Sequence, residues 1–145
     1  MKTTFFKRAF LLPLTIVALG LGLTSCDKDD ELSQEELQAL AGLWDITSYA
    51  IDGDEYIGFL AESGTIEFEP AGPSGGEFTQ SIKFFDEEEP AYISGDYSVN
   101  ASKGEIRLEY DGVVVVAEIS IDGDELDWRG RQDGFPLNVA ATKRP

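Results

Sequence analysis

Residues 105–121 read Glu105-Ile106-Arg107-Leu108-Glu109-Tyr110-Asp111-Gly112-Val113-Val114-Val115-Val116-Ala117-Glu118-Ile119-Ser120-Ile121. Ile106, Leu108 and Tyr110 fall at every second position with charged residues between them, the period of a strand with one face buried and the other in water. Asp111-Gly112 accepts the positive φ that a two-residue type I′ turn demands, and that turn matches the twist of the strands on either side. The stretch is therefore expected to fold as an antiparallel hairpin.

Three more Asp-Gly steps, at Asp52-Gly53, Asp122-Gly123 and Asp133-Gly134, punctuate the chain, and strands are expected over 44–51, 65–69, 78–85, 91–99, 105–110, 113–121, 125–129 and 137–142. Eight short strands with regular turns and little helix predict an all-β barrel or sandwich. Ahead of them, Ser33 and Glu36 stand at capping-box spacing, and Leu32 and Leu37 at that of a hydrophobic staple. A short helix should run from there to about Ala41, with Gly42 as its stop. Residues 56–61 read as an irregular apolar loop, 70–76 as a flexible Pro- and Gly-rich connection, and 86–90 as an acidic solvent loop. Ile51-Asp52-Gly53-Asp54-Glu55 recurs as Ile121-Asp122-Gly123-Asp124-Glu125. The flanks do not match, so repeated use of a good hairpin turn explains the echo better than duplication does.

At the front, Lys2, Lys7 and Arg8 precede an apolar run over 9–23 that closes in Leu23-Thr24-Ser25-Cys26, the layout of a secretory signal. The run is short of the roughly 20 apolar residues that a span needs, and it contains Pro13. Its ending resembles the lipobox of bacterial lipoproteins. That resemblance implies a thioether lipid on Cys26, cleavage before it and acylation of the new amine, with several chains giving stable attachment to the membrane. The layout is then a signal peptide over 1–25, a lipidated acidic tether over 26–32 and a folded domain over 33–145. Asp27-Lys28-Asp29-Asp30-Glu31 resembles the export tag with which a group of Gram-negative bacteria sends lipoproteins to the outer face of the outer membrane, and it also suits an extended, solvated tether. With its one cysteine lipidated, the domain would fold without a disulfide and depend on a packed core.

Beyond the signal the chain holds eight basic against 28 acidic residues, a formal charge of −20. No basic cluster is available for phosphates, which excludes most nucleic-acid roles. The sequence has no histidine, so Ser-His and Cys-His nucleophile pairs are excluded and transition-metal sites lose their usual donors. No enzyme, cofactor or metal is expected. Carboxylate chemistry would need an acid held in a surrounding that raises its pKa, whereas the acids here concentrate in turns and tether. EF-hand registers begun at Asp52 or Asp122 place wrong residues at the ligand positions. A looser calcium site at Asp52, Asp54 and Glu55 competes with the plainer reading of a hairpin turn.

Gly42-Leu43-Trp44, the Asp-Gly turn after the first strand and the alternating strands closing over 137–144 resemble the lipocalin-like domains of small bacterial lipoproteins. The resemblance implies an eight-stranded antiparallel up-and-down barrel preceded by the short helix. It implies that Trp44 plugs the closed end under a cation from near the last strand, with Arg144 the first candidate and Arg131 the second. Phe68, Phe84, Tyr97, Tyr110 and Trp128 are the candidates to line the interior. They can form an apolar pocket or fill the barrel, and a filled core is the favoured expectation. The functional expectation is an outer-membrane-anchored, surface-exposed, non-catalytic module that binds a small apolar or glycan-like ligand. The alternative is a filled barrel that recognises another envelope protein.

Overall fold

In the computed structural model, which describes residues 31–145, the capping box forms as its spacing predicts. The Ser33 hydroxyl accepts from the Glu36 amide at 3.2 Å, and the Glu36 carboxylate accepts from the Ser33 amide at 2.7 Å. This starts helix α1 (Gln34–Leu40). At seven residues it is too short to persist alone, and it is held by Leu40 and Leu32, both buried, and by the Leu32 amide on the Ala101 carbonyl. The signal peptide, Cys26 and most of the tether lie outside the described residues.

Strand β1 (Gly42–Ile51) follows, then the two-residue β2 (Asp54–Glu55), β3 (Ala61–Gly72), β4 (Gly75–Phe84), β5 (Ala91–Asn100), β6 (Glu105–Tyr110), β7 (Val113–Asp122), β8 (Glu125–Gln132) and β9 (Phe135–Lys143). Each long strand pairs antiparallel with the next, and β9 returns to pair with β1 from Trp44 to Ile51. The sheet thus closes into an eight-stranded antiparallel barrel with β2 as an appendage on β1. Closure leaves no long free edge. The buried side chains recur at every second position, as in β7, where Val115, Ala117, Ile119 and Ile121 face inward.

The ends of the barrel differ. Helix α1, the β3–β4 turn, the 3-10 turn Ala101–Lys103, the β7–β8 turn and the C-terminus gather at one end, which the helix closes. Residues 52–60, 85–90, 111–112 and 133–134 gather at the other, which no helix among the described residues covers.

The turns explain the repeated pentapeptide. Asp52-Gly53, Asp111-Gly112 and Asp133-Gly134 each have both residues at positive φ, as a type I′ turn requires. In the second copy Asp122 pairs with Glu125, so the loop is Gly123-Asp124, and Gly123 alone has positive φ, at 61°. That is the type II′ pattern. The same five residues make different turns one position apart, so the echo is not a structural repeat.

The expectation of a flexible connection over 70–76 is corrected. β3 runs to Gly72 and β4 begins at Gly75, leaving only Pro73 and Ser74 between them. Glycine is needed there for close approach rather than for mobility, since a Cβ on Gly76 would stand 2.1 Å from the Glu69 carbonyl oxygen. Gly95 plays the same part on the neighbouring strand β5, where a Cβ would lie 2.0 Å from the Glu109 oxygen and Phe78 sits opposite it in the register. Glycines of this kind let a closed sheet bend sharply.

Candidate binding site at the open end of the barrel

The closed half is filled. Phe68 meets Tyr97 edge-on at 5.1 Å between ring centroids and Trp128 at 6.4 Å, and Phe68, Trp128, Ile66 and Ile106 are essentially inaccessible. Trp44 is fully buried and its indole N–H donates to the Leu40 carbonyl at 2.9 Å, which ties the plug to the helix above it. The cation over its ring is Lys143, with Nζ 5.2 Å from the centroid and within hydrogen-bond reach of the Ala39 carbonyl. The expectation of Arg144 or Arg131 in that place is corrected. Arg144 lies one position beyond the end of β9 and grips Asp45 on the outer surface with two hydrogen bonds, one at 3.1 Å. Those bonds hold the Asp45 carboxyl below its usual range. Arg131 reaches the Gly134 carbonyl.

The open half has a different chemistry. Tyr49 and Tyr56 pack edge-on at 6.1 Å, and Tyr110 packs edge-on against Phe78 at 6.1 Å. The Tyr49 hydroxyl donates to the Gln132 side-chain oxygen at 3.1 Å. Burial pushes the Tyr49 phenol up in pKa, opposed by the nearby Gln80 amide and reinforced by Tyr110 and Tyr56. Tyr110 is raised too, by burial first and then by Asp133 and Asp111. Three phenols, the Gln132 amide and the Gln80 amide therefore converge inside the mouth.

Gln80 is the outlier among them. It is only 6% exposed, and its Nε2, although the amide lies close enough to the Tyr49 hydroxyl to favour the phenolate, makes no well-formed hydrogen bond among the described residues. A buried N–H left unpaired costs on the order of 1–3 kcal/mol. Deeper in, the Trp128 indole N–H is likewise buried and unpaired. Outside the phenols stands an apolar lip of Phe59, 78% exposed, with Leu60, Phe85 and Phe135. A partly open groove of about 600 Å³ runs along residues 53–60.

Glu55 builds this end. At Thr47 the register of β1 against β9 shifts, and beyond Ile46 β1 loses β3 as a neighbour. The Glu55 carboxylate takes the vacated side, accepting from the Ser48 hydroxyl at 2.5 Å, the Tyr49 amide at 2.7 Å and the Ile57 amide at 3.0 Å. Partial burial opposes its ionisation, but these donors outweigh that and hold its pKa below the usual carboxylate range. A carboxylate turned back onto β1 in this way supports the hairpin reading of the acids at 52–55.

Of the five expected lining residues, Phe68, Tyr97 and Trp128 form the filled trio, Tyr110 belongs to the mouth, and Phe84 sits half-buried at the open end of β4. Tyr49, Tyr56, Gln80 and Gln132 were not singled out by sequence reasoning. A signal existed for Gln80, a polar residue in the inward-facing row Phe78, Gln80, Ile82 of β4.

No protein-family model matches this sequence, and no curated protein matches it. Solved structures do. A redesigned β-barrel superposes with a TM-score of 0.61 at 15% identity, covering 79% of this chain and 99% of its own. The redesigned barrel mFAP1, bound to DFHBI, gives 0.56 at 19% identity over 74% of this chain and 98% of its own. A de novo designed fluorescence-activating barrel gives 0.56 at 18% identity over 79% and 100%. At these identities the likeness is one of fold, and it agrees with the eight-stranded closed barrel.

Proposed function

We propose that this protein is a non-catalytic, lipocalin-like binding module that holds a small, largely apolar or glycan-like ligand in the open end of its barrel. The observation that carries the reading is the Gln80 amide, buried beside the Tyr49 hydroxyl without a well-formed hydrogen bond among the described residues, beneath a ring of phenols and an apolar lip. A fold keeps an uncompensated donor at such a place at a cost, and a ligand that completes the hydrogen bond gives a reason for it. The structural neighbour with DFHBI bound illustrates that a barrel of this architecture accommodates a small ligand. The panel that tests this is a set of apolar environment-sensitive dyes titrated into the purified protein. Saturable binding weakened by substitutions at Tyr49 or Gln80 supports the reading, and absence of binding across the panel removes it.

The signal layout and the lipobox-like Leu23-Thr24-Ser25-Cys26 support anchoring of the mature chain through lipid on Cys26, and the acidic segment after it supports export to the outer face of the outer membrane. Mass spectrometry of the N-terminal peptide tests the first point; a free thiol there refutes it. Protease treatment of intact cells tests the second. The exposed Phe59, Leu60, Phe85 and Phe135 favour one alternative, recognition of another envelope protein by the lip, which a stoichiometric partner in pull-downs from solubilised membranes would support.

A further inference from the structure

We infer that the mouth selects for ligands that carry no negative charge and present a hydrogen-bond acceptor: an uncharged or cationic apolar molecule with a carbonyl, ether or ring-nitrogen group, and not a carboxylate amphiphile such as a fatty-acid anion. The inference rests on the proposed ligand site and names what that site takes.

Two independent observations carry it. The first is the kind of polar group left unpaired. Gln80 Nε2 and Trp128 Nε1 are both N–H donors, both buried, and both on inward-facing rows of the barrel. Gln80 lies next to the Tyr49 hydroxyl, which is bonded to Gln132 at the open end of β8. An entering molecule therefore meets a donor that wants an acceptor.

The second is charge. The loops of the open end carry Asp52, Asp54, Glu55, the run Asp86 to Glu89, Asp111 and Asp133. The basic side chains nearest them are Lys83 and Arg131, two cations against nine acids, and they reach the backbone carbonyls of Glu87 and Gly134 rather than the mouth. An anion must pass this rim and then lie beside Tyr110, whose own ionisation is already suppressed by burial and by Asp133 and Asp111. A cation or a neutral molecule meets no such barrier. The repulsion is between solvent-exposed charges, so it is screened by salt over a Debye length of about 8–10 Å.

A matched set of three dyes tests this on the purified protein: an uncharged aminonaphthyl ketone (prodan), the same aminonaphthalene without the ketone, and the same aminonaphthalene bearing a carboxylate. At low salt the ketone should bind about tenfold or more tightly than the carboxylate, and the gap should narrow as salt is raised. Gln80→Met, which keeps volume and removes the amide, should weaken the ketone about fivefold to tenfold, the worth of one hydrogen bond, and leave the ketone-free dye unchanged. Asp111→Asn with Asp133→Asn should raise carboxylate binding several-fold. Asparagine tolerates the left-handed backbone of those turns, so this variant keeps the test open should Gln80→Met fail to fold. Equal or tighter binding of the carboxylate dye, or a ketone affinity indifferent to Gln80, overturns the inference while the binding reading stands. Failure of all three dyes to bind overturns both.

Discussion

Glu55→Ala removes a single solvent-side carboxylate, yet it should unfasten the second half of β1. That half is flanked by β9 along one side, while the other side has only the two-residue β2 at Ala50 and Ile51, the Tyr56 amide on the Tyr49 carbonyl and the Glu55 carboxylate, which gathers the Ser48 hydroxyl and the Tyr49 and Ile57 amides. A hydrogen bond to an ionised group contributes about 1.5–3 kcal/mol where it is shielded. Glu55 is exposed, so solvent screening discounts each bond well below that range, and the alanine variant should lose about 2 kcal/mol in total. Glu55→Gln keeps the shape and loses the charge, and should cost about 1 kcal/mol. The difference between wild type and Glu55→Gln should also depend on pH. Because the carboxyl is held below its usual range in the folded state, its stabilisation is present above the unfolded pKa of about 4.3 and disappears as pH falls through the folded value. Urea melts of all three proteins at neutral and strongly acidic pH, followed by the fluorescence of Trp44 and Trp128, give these numbers. Equal stability of wild type and Glu55→Ala at neutral pH, or a Glu55→Gln penalty unchanged in acid, would refute the role of Glu55 as the seam.

Other substitutions probe the rest of the barrel. Lys143→Met should destabilise by about 1 kcal/mol through loss of the contact over Trp44 and the bond to Ala39, and a larger effect from Arg144→Met would contradict that assignment. Gly95→Ala forces a Cβ to 2.0 Å from the Glu109 oxygen and should cost at least about 2–3 kcal/mol. Gly72→Ala, with nothing near the added carbon, should be close to neutral in the same urea melts. Gln80→Met should stabilise the unliganded protein by about 1 kcal/mol by deleting the orphaned donor; a loss of stability would mean that Gln80 is satisfied in solution.

The barrel was legible because its causes are local. Alternation in β6 and β7 names the inward rows, Asp111-Gly112 names the turn, and Ser33 with Glu36 names the helix start. The mouth was harder to read because its causes are not. The shift at Thr47 puts Tyr49 in the interior although it is out of step with Trp44 and Ile46, and no period can show where an extra residue enters a ladder. Gly75 and Gly76 read as loop because composition cannot distinguish a glycine that moves from one that is crowded. Lys143 and Arg144 differ by one position at the end of β9, and only the register with Trp44 decides which covers the indole.

The most direct test of the central claim, that the barrel is filled at the helix end and receptive at the other, is a nitrogen-edited NMR titration with the ketone dye. The side-chain amide signals of Gln80 and Gln132 and the Tyr49 backbone amide should move first and saturate together, while the Trp44 indole signal stays in place. Perturbations centred on Trp44 and α1, or scattered over the outward-facing residues of the strands with Gln80 unmoved, would contradict it.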